Sequence, residues 1–269
     1  MAKTGRKERA LYLEKTSAYR SAAETIIRDE QAIRHAIDTK PDPAIKRLEL
    51  SQSMLNLASN YLVMNGIYLS MHDLKDESVL NEARKSLYRS VIYLEEVVSN
   101  YIDAPFSDYE KRLALIEPVS PAERYYLVQK MGLTISLLEN AYGYNTKWKW
   151  SFVELEGRFS TVAKNLINLR DIPNSDPHSP HYEPTLYHAR LVKKLLIQSA
   201  DRYREKYEQS TNRIDDFRIG IMYLSALKRM YVLTGDHSDA ATVQKKLDKW
   251  NNKLNADMIR QEEQLNKKG

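Results

Sequence analysis

YVLTGDHSDAATVQKKLDKW, residues 231–250, decides the fold, because it joins two apolar-periodic stretches through a turn of four to five residues. Leu224, Leu227 and Tyr231 share one helical face, and Gly235 supplies the left-handed residue that ends a helix. Small Ala240 lets a second helix approach, and Leu247 and Trp250 continue its apolar face. The stretch therefore predicts a tight helical hairpin, and the same grammar recurs upstream.

Leu55, Ala58, Leu62, Gly66 and Leu69 step by three or four, as do Leu80, Ala83, Leu87, Val91, Leu94 and Val98 after the polar break HDLKDES. These predict one antiparallel pair, with Gly66 on the apolar face at a close helix crossing. Ser120 before Pro121, with Glu123 three positions on, is a helix start. Leu127, Met131, Thr134, Leu138 and Ala141 follow on one face. After the turn GYNTK, Trp148, Phe152, Leu155, Phe159, Val162, Leu166 and Leu169 form the cleanest apolar stripe. DIPNSDPHSPHYEP, residues 171–184, holds four prolines, which excludes a helix there and starts the next one near Leu186. Residues 6–38 also read as a helix, ending at TKPDP.

With 8 Gly and 9 Pro in 269 residues, long stretches suit helices, and 42% hydrophobic residues can build a core. The expected class is all-α: an irregular α-solenoid or bundle of about nine helices arranged as antiparallel hairpins. The expected organisation is an N-terminal helical layer over 1–170, a Pro-rich connector over 171–184, and a C-terminal hairpin region over 185–269.

The hairpin over residues 221–254 resembles a tetratricopeptide repeat, whose fingerprint places two apolar residues, an aromatic, Gly-Asp and an Ala at the offsets held here by Leu224, Leu227, Tyr231, Gly235, Asp236 and Ala240. The resemblance covers about one repeat and implies a protein-binding scaffold. SNYLVMNGIYLSM and YYLVQKMGLTISLLENAYGYNTKWKWSF are similar in style to the all-helical accessory proteins of spirochaete periplasmic flagella and motor collars. That likeness implies a structural subunit of a flagellum or cell envelope.

No Cys occurs, which removes disulfides, thiolate zinc sites and cysteine nucleophiles. No Gly-rich phosphate loop, serine-hydrolase elbow, zincin helix or kinase set is present, so an enzyme is not expected, nor is a cofactor. Acidic neighbours such as Glu95–Glu96 and Asp215–Asp216 diverge on a helix and read as solvated. His178, His181 and Glu183 in the Pro-rich stretch are weak metal candidates, because imidazole and carboxylate suit zinc but nothing fixes their geometry.

The net charge of +5 is concentrated at the ends. Lys3, Arg6, Lys7, Arg9, Lys15 and Arg20 outnumber Glu8 and Glu14, and lysines dominate residues 241–269. Such arms could contact nucleic acid, aided by KWKWSF, although Trp148 belongs to the counted stripe and only Trp150 is expected to face outward. No apolar run has the length of a signal peptide or a membrane span, which predicts a cytoplasmic address, or a periplasmic one for a processed chain. The expected function is a non-catalytic scaffold or adaptor for protein partners, with homo-oligomers possible. Its expected contact residues are Tyr125, Tyr126, Lys130, Tyr223 and Arg229, aromatic and basic side chains on the first helices of two hairpins.

Overall fold

A computed structural model describes residues 5–37, 43–143, 146–172 and 176–266. The expected break at Thr39–Asp42, the tip of the GYNTK turn, Pro173, and the basic residues Lys3, Lys267 and Lys268 lie outside these. Every regular element among the described residues is helical. There are nine α-helices: α1 (Arg6–Ile37), α2 (Ala44–His72), α3 (Glu77–Val97), α4 (Glu110–Ala114), α5 (Pro121–Tyr142), α6 (Lys149–Asn165), α7 (Tyr182–Lys206), α8 (Ile214–Leu233) and α9 (His237–Asn266). A π-helical turn, Tyr207–Thr211, extends α7. The all-α expectation holds.

The chain divides into two compact units. The first comprises residues 1–99, 114–118 and 126–149, and the second residues 100–113, 119–125 and 150–269. The Pro-rich stretch 171–184 falls inside the second unit.

In the first unit α2 and α3 form the expected antiparallel pair. The Asp76 carboxylate starts α3 by accepting from the backbone N–H of Ser78 and Val79 at 3.1 and 3.2 Å, and buried Asn65 accepts from the Asp76 N–H at 2.8 Å. All six residues of the α3 stripe are buried. Ser51 and Ser90 meet at 2.9 Å where the helices cross, their small side chains allowing close approach while pairing each other's hydroxyls. Helix α1 covers α2 with Ala23 and Ile37 against Leu50, Met54 and Leu57. Glu30 of α1 is buried because both its oxygens are paired, one with Arg89 at 2.5 Å and one with the Tyr93 hydroxyl at 2.7 Å.

The expected face of α2 is half right. Leu55 and Ala58 are fully buried, but Gly66 is exposed with nothing within 4 Å of a Cβ placed on it, and Leu69 is also exposed. Among the described residues no close crossing meets Gly66. The reason is that α2 is apolar on more than one side, so its period could not choose a face.

The start of α5 forms a reciprocal cap: the Glu123 carboxylate accepts from the N–H and hydroxyl of Ser120 at 2.8 and 2.7 Å, and the Glu123 N–H donates back to Ser120 Oγ at 3.3 Å. These bonds hold the Glu123 carboxyl below its ordinary range.

In the second unit α7 packs on α8 and α8 on α9. The opening hairpin is as expected: α8 ends at Leu233, Gly235 has φ +76°, and Ala240, Val243, Leu247, Trp250 and Leu254 bury a stripe of alternating three- and four-residue steps. Asp236 secures the corner by accepting from Lys193 at 2.5 Å and Thr234 Oγ1 at 2.6 Å. Pro184 corrects one expectation, since α7 begins at Tyr182 and contains it. A proline in the first helical turn removes only an N–H that had no partner there. The stripe from Phe152 through Leu169 is buried, but α6 ends at Asn165, so Leu166 and Leu169 lie in the turns beyond it; Trp148, just ahead of α6, and Trp150 are only half-buried, and Trp148 carries the Arg84 guanidinium 4.0 Å above its ring.

Candidate functional site

From Leu50 to His72 the sequence contains no Asp, Glu, Lys or Arg, although 29% of the chain is charged. In the structure the exposed positions of this run are Gln52, Asn56, Val63, Gly66, Leu69 and Ser70. Taken with half-buried Ser59, positions 52, 56, 59, 63, 66 and 70 step by four and three along one side of α2. Helix α5 repeats the pattern within the same unit. Its exposed positions between Tyr126 and Asn140 are Tyr126, Gln129, Leu133, Ser136, Leu137 and Asn140, again without a charge.

Two hydrogen bonds set α5 beside α2 in parallel. Lys130 Nζ donates to Asn56 Oδ1 at 2.6 Å, and Lys75 Nζ, just past the end of α2, donates to the Tyr142 carbonyl at 2.8 Å. The first uses the one cation between Tyr126 and Leu138 to tie the helices together. The result is a surface whose exposed positions are uncharged, with the half-buried Lys130 as its one cation between Tyr126 and Leu138, and in which Tyr126, Leu133 and Leu137 are 62%, 62% and 50% exposed. At 1.5 Å per residue the seam from Gln52 to Ser70 is about 27 Å long. A helix that is apolar all round is normally covered, and depletion of charge is what separates the centre of an interface from ordinary surface.

The residues expected to contact a partner scatter. Tyr126 is on this face and Lys130 anchors it. Tyr125 belongs to the second unit, half-buried with its ring 6.4 Å from Tyr187 and 5.9 Å from His188. Tyr223 is only 2% exposed, stacked 5.7 Å from Tyr203, and its hydroxyl meets Thr161 Oγ1 at 3.3 Å. It is a core residue, which corrects its assignment to a surface groove: Gly157 leaves room for both rings, and the phenol finds its partner inside. Arg229 is exposed and holds Asp103 at 3.0 Å. His178, His181 and Glu183 are exposed, and among the described residues no group of three His or carboxylate side chains converges on a metal position.

Sequence reasoning passed over Lys164 and His188, buried ionisable groups of the second unit, and read as solvated Asp216, which is buried against Lys206 at 2.8 Å. Lys164 is 3% exposed, with no carboxylate in salt-bridge range among the described residues; its ammonium lies 5.1 Å from the Tyr109 ring centroid. Burial lowers its pKa to about 8, Asp103 opposes that, and Arg229 adds to it. Burial also raises the Tyr109 phenol, whose hydroxyl is enclosed without a hydrogen-bond partner. His188 is pushed down to about 3 by burial; one ring nitrogen donates to the Ala163 carbonyl, Nε2 is buried without a hydrogen-bond partner, and the residue helps line a cavity of about 20 Å³, room for one water.

Residues 8–258 match the model of the TP0443 family. The chain belongs to the TP0443 family. No curated protein and no solved structure matches it. The match spans residues of both units. Among the described residues of this TP0443 family member, no helix is long and apolar enough to cross a membrane, so the uncharged run of α2 is not a span.

Proposed function

We propose that this chain is a non-catalytic helical scaffold that binds protein through the uncharged face of α2 and α5. One observation carries the reading: two neighbouring helices expose charge-free seams of matching spacing, with Tyr126, Leu133 and Leu137 half or more exposed, on a chain otherwise rich in charge. Burying those side chains releases water from apolar surface, while the amides and hydroxyls between them, Gln52, Asn56, Gln129, Ser136 and Asn140, bond across without desolvating an ion. The tetratricopeptide-like hairpin at 221–254 fits this role as a stacked helical element.

A structural subunit of a flagellum or envelope would use the same surface in the same way. The nucleic-acid alternative has less support, because Lys246 and Lys253 of the basic end are engaged with Asp201 and Asp257 at 2.6 and 3.2 Å. A photo-crosslinking amino acid placed at Leu133 and expressed in the native cell tests the proposal, with Ile259, 57% exposed on α9, as control. Protein adducts at position 133 and not at 259 support it; equal or absent adduct formation at 133 overturns it.

A further inference from the structure

In the first unit the last turn of α1, the first turn of α2 and the second half of α3 meet around a cavity of about 340 Å³. Three guanidiniums line it, one from each helix: Arg34, Arg47 and Arg89. Like charges gathered in one hollow repel, so each needs a countercharge to hold it there. Arg89 has one in Glu30, which it meets at 2.5 Å and which is 2% exposed and also takes the Tyr93 hydroxyl at 2.7 Å. Arg47 Nε has another in Glu96, at 2.8 Å.

Arg34 has none. It is exposed, and among the described residues no carboxylate lies within salt-bridge range of it. Its charge still bears on the Tyr93 hydroxyl, where together with that of Arg89 it opposes the rise that burial and Glu30 impose on the phenol. A cation in the last turn of α1 suits the helix dipole at any position around that turn, which does not require it to open on the cavity that Arg47 and Arg89 share. Three guanidiniums thus face two carboxylates among the described residues, and one positive charge in a concave site is left unmatched.

That surplus sets the charge of an occupant, and the guanidiniums set its shape, because their planar fork takes the two oxygens of a carboxylate side by side. Arg47 and Arg89 each keep N–H groups beyond those their own carboxylates use, and the existing ion pairs hold those groups in place. Ile37, Ile92 and the Tyr93 ring give the same cavity an apolar part, and its volume suits a small molecule. We infer that this cavity binds a small organic carboxylate carrying one negative charge and a short apolar body, with Arg34 supplying the unmatched charge and Arg47 and Arg89 fixing the orientation. It shares no residue with the face of α2 and α5 proposed to bind protein, so the two readings stand or fall separately.

Titration calorimetry on the full chain with 3-phenylpropionate tests this, beside 3-phenylpropanamide, which keeps the body without the charge, and acetate, which keeps the charge without the body. Arg34→Gln removes a side chain that is exposed, and the melting temperature is expected to stay unchanged. Ile92→Glu, at a position 37% exposed, adds a carboxylate to the lining. The expected result is one propionate site per chain with a dissociation constant below about 1 mM, weakened by salt and at least about tenfold weaker for the amide, for acetate and for either variant. No propionate binding up to about 10 mM overturns the inference. So does an amide bound as well as the acid, or an affinity indifferent to both Arg34→Gln and Ile92→Glu, since binding then owes nothing to the unmatched charge or happens elsewhere. Tighter binding of 2-phenylethyl phosphate, a dianion on a similar body, overturns the assignment of a singly charged carboxylate.

Discussion

Replacing Lys164 with Met keeps the length of the side chain and deletes an ammonium that the fold holds at 3% exposure. In the folded chain the amine loses its proton near pH 8, against 10.5 for a free lysine. Each factor of ten in that equilibrium is 1.36 kcal/mol, so keeping Lys164 charged in the folded state costs about 3 kcal/mol at neutral pH. Between pH 8 and 10.5 the unfolded chain holds more protons than the folded one, and stability from this group rises with pH across that window. Lys164→Met is therefore expected to be more stable than the parent by up to about 3 kcal/mol below pH 8, with the gap closing as pH approaches 10.5. Urea unfolding of both proteins at intervals from pH 7 to 10.5 measures it, and the difference between them cancels the tyrosines that titrate at the upper end. A variant less stable at pH 7, or a gap that stays constant to pH 10.5, refutes the reasoning and makes the Tyr109 contact a net stabiliser of the charged amine.

Gly157→Ala places a Cβ 2.7 Å from both Tyr203 Cε2 and the Tyr223 hydroxyl oxygen, so urea unfolding should show a loss of about 1–3 kcal/mol; no loss would mean that these rings move aside. Gly235→Val forces a β-branched residue to φ +76°, with an expected cost of about 1–2 kcal/mol and earlier melting; an unchanged melting point would contradict the left-handed end of α8.

Where one face of a helix is apolar and the other charged, the sequence alone locates the core. The α3 stripe from Leu80 to Val98 is buried position for position, the stripe expected from Trp148 to Leu169 is buried from Phe152 on although α6 stops at Asn165, and Ser120 with Glu123 caps α5 as their spacing implies. The same rule fails on α2, because a run with no charged residue from Leu50 to His72 has no polar side for periodicity to detect, and Gly66 and Leu69 were assigned inward. The missing charges are the sign in the sequence of this exposed run of α2. Tyr223 misled for a different reason, since a tyrosine suits both a groove and a core, and only the space left by Gly157 decides between them. Lys164 carried no signal, because a long cation beside an apolar stripe ordinarily reaches water, and its burial depends on Tyr109, distant in sequence.

The yield of protein adducts from a photo-crosslinker at Leu133, divided by the yield from Ile259 in the same cells, tests the central claim most directly, because both positions are more than half exposed in the single chain and only one lies on the uncharged face. A protein-covered face predicts a ratio of at least about ten, given that an ordered partner holds the probe in contact while exposed α9 meets proteins only in passing. A ratio near one would contradict the account and return α2 and α5 to the status of bare surface.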